Sequence, residues 1–259
     1  ESVSSWMMKG VLDFLTSDCV EARALRKLFV FKVIPMMNPD GVINGNYRWS
    51  LSGVDLNRRW KTPSKILHPT VFEMKKLCKD FQKEREITLI CDLHGHSRRK
   101  NIFMYGNNIS EDTSSTRIFP FIMSKLADFF SLKYCTFSMA KSKDSTARIS
   151  LFRDLSIPLI YTMEASFWGA NQGEVDGLHF NTEHFMKAGR NLFHALILYW
   201  KIKPSDYVEE YDNIHNIEEK SGQENDDPPL NYEEIYKEFE ENKSEIIKET
   251  ETMSSDGSD

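Results

Sequence analysis

An α/β fold, with a mixed, mostly parallel sheet flanked by helices, is what this sequence predicts. Short apolar runs of strand length, at 28–34, 86–90, 101–106 and 158–164, are separated by longer segments with helical spacing. That alternation argues for strands connected through helices. Two of the runs lead into a histidine or a carboxylate, His94 and Glu164, at the carboxyl end where open α/β sheets hold their ligands.

Residues 3–17 read as a helix, because Trp6, Met7, Val11, Phe14 and Leu15 fall close to helical spacing. Glu1 stands just ahead of it, where a carboxylate would ordinarily answer the helix dipole. The run LFVFKVI at 28–34 has strand length and is stopped by Pro35, and NPDG at 38–41 is a turn signal. Residues 42–61 show no periodicity, yet they hold Arg48, Asn57 and Arg58; a structureless stretch of this length inside a domain is usually functional. Pro69 opens a helix to about residue 85, with Phe72, Leu77 and Phe81 facing inward, and it leads into the strand at 86–90. A strand at 101–106, an apolar helix at 117–131 and a short strand near 136–139 follow. The loop 140–147 then leads to Arg148. The strand at 158–164 ends on Glu164, and a helix over 182–201 closes the body.

Composition divides the chain at about residue 204. From Ser205 onward there are 19 Asp and Glu against 4 Lys and Arg, while the preceding residues hold 20 acids and 29 bases. The body therefore carries a net +9 and suits an anionic partner. Residues 205–231, with Pro228-Pro229, read as a linker, 232–249 as a charged single helix, and 250–259 as unstructured tail. No run reaches the ~18 uncharged apolar residues of a membrane span. Cys19, Cys78, Cys91 and Cys135 have no paired spacing and read as reduced thiols of a cytosolic protein.

Each chemical residue has a plain alternative. A strand-end His94 is more often packed than a ligand, Glu1 suits a solvated helix start, the loop arginines suit a surface, and Glu164 suits a paired buried acid. Together they supply what metal-assisted amide hydrolysis needs. Glu and His are zinc ligands, a further carboxylate can move the proton, and arginines can hold an oxyanion and a free carboxylate.

The blocks ESVSSWMMKGVLDF at 1–14, NPDG at 38–41, GNYR at 45–48, GVDLNR at 53–58, DLHGHS at 92–97 and YTMEASF at 161–167 resemble the cytosolic carboxypeptidases, the tubulin-deglutamylase branch of the zinc metallocarboxypeptidases. The resemblance covers about residues 1–200 and implies a zinc carboxypeptidase-like domain at 1–204, incomplete at its N-terminus, followed by an acidic segment at 205–259. It implies Zn²⁺ bound by Glu1 and His94, with Glu164 as general base and acid and Arg48 as oxyanion stabiliser. Asn57 and Arg58 become the clamp on the substrate's terminal carboxylate. Arg148 lies where the family lines the pocket for the last side chain, and its charge implies preference for C-terminal glutamate or aspartate. His96 is expected to support the site rather than bind metal. The family's ligand motif is His-x-x-Glu, whose histidine would stand three residues before Glu1. The polypeptide 1–259 then holds two of three protein ligands, and the resemblance implies that it is inactive alone. The implied partners are acidic, tubulin-like C-terminal tails, in the cytoplasm near microtubules or cilia, with neither nucleic acid nor membrane.

Two other classes remain open on the residues. One is a zinc amidohydrolase of small acylated amino acids, which the Asn57-Arg58 pair disfavours; the other is a catalytically dead binder of acidic tails, which Glu164 disfavours. Nucleic-acid binding is weaker still, because no stacking aromatics interleave the basic residues. The Glu-rich tail is either an entropic solubilising segment or a substrate mimic that occupies the basic cleft.

Overall fold

Parallel pairing between two strands sets the frame. The computed structural model describes residues 1–109, 111–207 and 231–252. In it, β1 (Ile90–His96) runs parallel to one side of β3 (Ile160–Ser166), and β2 (Ile102–Tyr105) lies antiparallel on the other side. The order β1-β3-β2 makes β3 central, and all seven of its residues are buried. Side chains alternate across a strand. Tyr161, Met163 and Ala165 accordingly join the larger core, while Ile160 belongs to a smaller cluster. The same period puts Glu164 on the Ile160 face.

Helices surround this small sheet. α1 (Ser2–Thr16) packs along α7 (Thr182–Tyr199). The two backbones approach so closely that a Cβ on Gly10 would fall under 3.0 Å from Met186 backbone atoms, and one on Gly189 would do the same against Met7 O. Only hydrogen fits at those two positions. α2 (Val20–Leu28) and α5 (Ser115–Leu126) contribute to the larger core, whereas α4 (Pro69–Glu84) and α6 (Ala147–Leu155) build the smaller one around Trp60, Val71, Cys78 and Leu151. The architecture is the expected α/β type. All four cysteines are free, and no helix among the described residues is long and apolar enough to cross a membrane.

Several local expectations are overturned. The run 28–34 forms no strand among the described residues. α2 takes in Leu28, and 29–34 form one wall of a cleft to which β1 also contributes, with no strand paired against them. NPDG opens a short helix, α3 (Pro39–Ile43), because Pro39 suits its first turn and Asn38 Oδ1 accepts from Gly41 N. β1 begins at Ile90 rather than 86 and continues through His96, since its ladder with β3 starts at Ile90↔Ile160. The buried face of α4 is Val71, Lys75 and Cys78 rather than Phe72, Leu77 and Phe81, and Leu77 is 37% exposed. α5 stops at Leu126, and residues 136–139 yield one bridge, Tyr105↔Thr136.

The helix expected over 232–249 runs as α8 (Tyr232–Thr252) and does not stand alone. It packs on α5, with Phe239 fully buried in the larger core and stacked edge-on to Phe121 at 5.3 Å. Fully buried Arg117 donates to Thr250 Oγ1 at 3.0 Å. The expected linker and the tail end, at 208–230 and 253–259, lie outside the described residues.

Candidate active site

β1 and β3 pair His94 with Glu164 in register, so the imidazole and the carboxylate leave adjacent strands on the same face. Glu1, at the start of α1, closes on them from the side. Its Oε2 lies 3.4 Å from His94 Nδ1 and accepts a hydrogen bond from Gly95 N at 2.6 Å. The other ring nitrogen, Nε2, is 2.9 Å from Asp92 Oδ2. Asp92 precedes His94 by two residues and so shares its face of the strand; it fixes the ring with Nδ1 turned toward Glu1. A metal-binding histidine is typically held through its other nitrogen in this way.

Electrostatics follow from that geometry. Burial opposes ionisation of Glu1, but His94 and the Gly95 N–H outweigh it and hold the carboxyl at about 2. Burial likewise opposes charge on His94, yet Asp92, Glu1 and Glu164 raise its imidazolium well above the ordinary range. The histidine thus sits among three carboxylates, a donor set that favours a cation. Glu1 Oε2 and His94 Nδ1 are donors of the kind zinc takes, and they are the two that could hold it here. No cluster of three metal-binding side chains occurs among the described residues. His96 is buried, and its Nδ1 accepts from the backbone N–H groups of Arg98 and Arg99.

Glu1, Arg48, Asn57, His94 and Arg148 line one cleft of about 690 Å³. Arg58 and Glu164 are not among its lining residues; Arg58 follows Asn57 in the chain and Glu164 pairs with His94 in register. Arg48 and the Asn57-Arg58 turn are organised by an acid that the sequence reading passed over. Asp55 Oδ2 is 2.7 Å from Arg48 Nε and 4.0 Å from Arg58 Nη1, and its Oδ1 accepts from Asn57 N at 2.8 Å. Asn57 Oδ1 accepts from Ala147 N at 2.9 Å, which fixes the amide with its oxygen toward the start of α6. Arg148 is buried and donates to Gly106 O, to Asn107 Oδ1 at 2.9 Å and to Ser138 O at 3.2 Å. Those acceptors are uncharged, and burial pushes the guanidinium down to about 10.

The fold is that of a zinc carboxypeptidase. The chain belongs to that family, whose description, zinc carboxypeptidase, matches residues 1–150. Among curated relatives, cytosolic carboxypeptidase 1 of Homo sapiens is 42% identical over 205 residues, covering 73% of this chain and 17% of that protein. Cytosolic carboxypeptidase 2 of Danio rerio is 48% identical over 186 residues, covering 70% of this chain and 26% of that protein. The chain thus spans about a sixth to a quarter of these relatives' length. Among solved structures, a metallo-carboxypeptidase from Burkholderia cenocepacia superposes with a TM-score of 0.67 at 22% identity, over 78% of this chain and 54% of that one. At that identity the likeness is one of fold.

Proposed function

We propose that this chain forms part of a zinc metallocarboxypeptidase that removes C-terminal glutamate from acidic protein tails of the tubulin kind. The observation that carries the reading is Glu1 Oε2 facing His94 Nδ1 at 3.4 Å, with Glu164 in register beside the histidine. Zinc held there supplies a Lewis acid and an activated water. Glu164 takes the proton from the attacking water and delivers it to the leaving amine. Arg48, oriented by Asp55, stabilises the oxyanion. Asn57 Nδ2 and Arg58 hold the substrate's free carboxylate. Arg148, buried among neutral acceptors, selects an acidic last side chain. The names of the relatives support a cytoplasmic setting, and acidic tails near microtubules or cilia agree with the +9 body.

Two protein donors hold zinc weakly. The polypeptide 1–259 alone is therefore expected to lose zinc to a mild chelator and to release no glutamate. The test is glutamate release from a Glu-terminated peptide by the full-length protein and by its Glu164→Gln variant. Activity in the parent that falls at least a hundredfold in the variant supports the reading; undiminished activity in the variant refutes it.

A further inference from the structure

Resting on the carboxylate clamp proposed above, we infer that Lys75 is a positioning residue that fixes the Asn57-Arg58 turn against the helix carrying Arg148. It thereby sets the spacing between the contact to the substrate's terminal carboxylate and the contact to its last side chain. Lysine is rarely buried unless paired, yet Lys75, in the middle of α4, is only 7% exposed. Its Nζ donates to Trp60 O at 2.6 Å, to Lys61 O at 3.2 Å and to Ser150 Oγ at 3.0 Å, and lies 3.2 Å from Asp154 Oδ2.

A tie between α4 and α6 needs only Asp154, and plain packing needs only a leucine. The informative partners are the two loop carbonyls. Trp60 follows Arg58 by two residues, and its carbonyl also accepts from Ser150 Oγ at 2.9 Å. Its N–H donates to Ser145 O at 3.0 Å, and its ring is buried against α4 and α6. At the other end of the turn, Asn57 Oδ1 accepts from Ala147 N, one residue before Arg148. The turn is therefore pinned to the first half of α6 at both ends, and Lys75 holds the pin from a third element. Without the ammonium, Trp60 O keeps one donor and Lys61 O loses this one. The 57–61 segment is then free to drift by an amount that matters to a bidentate contact, where misplacement by about 1 Å weakens recognition by one to two orders of magnitude.

The test uses Lys75→Met, which keeps most of the unbranched side chain and removes its donors. The probes are a labelled hexaglutamate peptide with a free C-terminal carboxylate and its C-terminal amide. Binding of both to the metal-free chain is measured by fluorescence anisotropy, well below the melting temperature of each variant. General destabilisation weakens both peptides alike; lost positioning lowers the preference for the free carboxylate, by roughly tenfold. Loss of preference in both Lys75→Met and Arg58→Ala supports the inference. Loss in Arg58→Ala with full preference kept in Lys75→Met overturns the role of Lys75 and leaves the clamp standing. No preference in the parent, or none lost in Arg58→Ala, overturns the clamp and the role of Lys75 with it. If Lys75→Met does not fold, Ser150→Ala carries the same comparison. It removes one donor to Trp60 O and one acceptor of Lys75, and a loss of about threefold is expected; unchanged preference overturns the inference.

Discussion

Replacing Gly10 with alanine adds one methyl group at the point where α1 and α7 cross. That methyl would sit well inside the 3.0 Å that real Cβ atoms keep from their neighbours, and what it meets is the backbone of Met186 rather than a side chain that can rotate away. The helices must part by about 1 Å, which opens the contact along their length; overpacking of this kind costs about 3 kcal/mol at the upper end of its usual range. Alanine returns about 1 kcal/mol, because it is the better helix former. The net expectation is a loss of about 2 kcal/mol, or a melting temperature lower by about 4–8 °C for a chain of this size. Gly189→Ala, which meets Met7 O from the other side, should behave alike. Thermal unfolding followed by circular dichroism decides the matter. A melting temperature unchanged or raised in both variants would refute the claim that the helices touch through their glycines.

Three further outcomes are expected. Asp92→Asn weakens the hold on the His94 ring, so zinc affinity of the full-length protein, measured by competition with a chelator, should fall about 10–100-fold; equal affinity would remove Asp92 from the site. Phe239→Ala empties a fully buried position on α8 and should cost about 3–5 kcal/mol in urea unfolding, against near zero if that helix were loosely attached. Burial opposes ionisation of Asp154, but Lys79 and Lys75 outweigh it and keep its carboxyl below the usual value. A lowered folded value means that the contribution is complete above the unfolded value near pH 4 and fades as pH falls through the folded one. The stability difference between the parent and Asp154→Asn should therefore be full at pH 6 and shrink toward pH 3; a difference constant over that range would contradict the pairing.

What the sequence made legible was the chemistry carried by its strand-end residues. His94 and Glu164 follow apolar runs, and a parallel register brought them side by side. Glu1 was legible through the resemblance; as a lone acid before a helix it had a sufficient dull explanation. The supporting acids were harder to see. Asp92 had a readable signal, since residues two apart share a strand face, whereas Asp55 meets Arg48 only because the chain turns back between Trp49 and Asp55. Lys75 had none. The phenylalanines and leucine of α4 suggested a different inward face, and nothing local says that a lysine will find two loop carbonyls from elsewhere in the chain. The misread strand at 28–34 has the right residues for a ladder, but pairing is decided by a neighbour, which propensity does not encode.

Among the described residues, β1 is laddered to β3 along one side only. On its far side Gly95 N is taken up by the Glu1 carboxylate, and the remaining rim, with no strand of the described residues paired to it, is a template for any extended chain that reaches it. The expected outcome is self-association that grows with concentration, measurable by sedimentation; a monomer at all concentrations would contradict it. The stickiness should reside on the cleft side of the sheet, away from the surface sealed by α8.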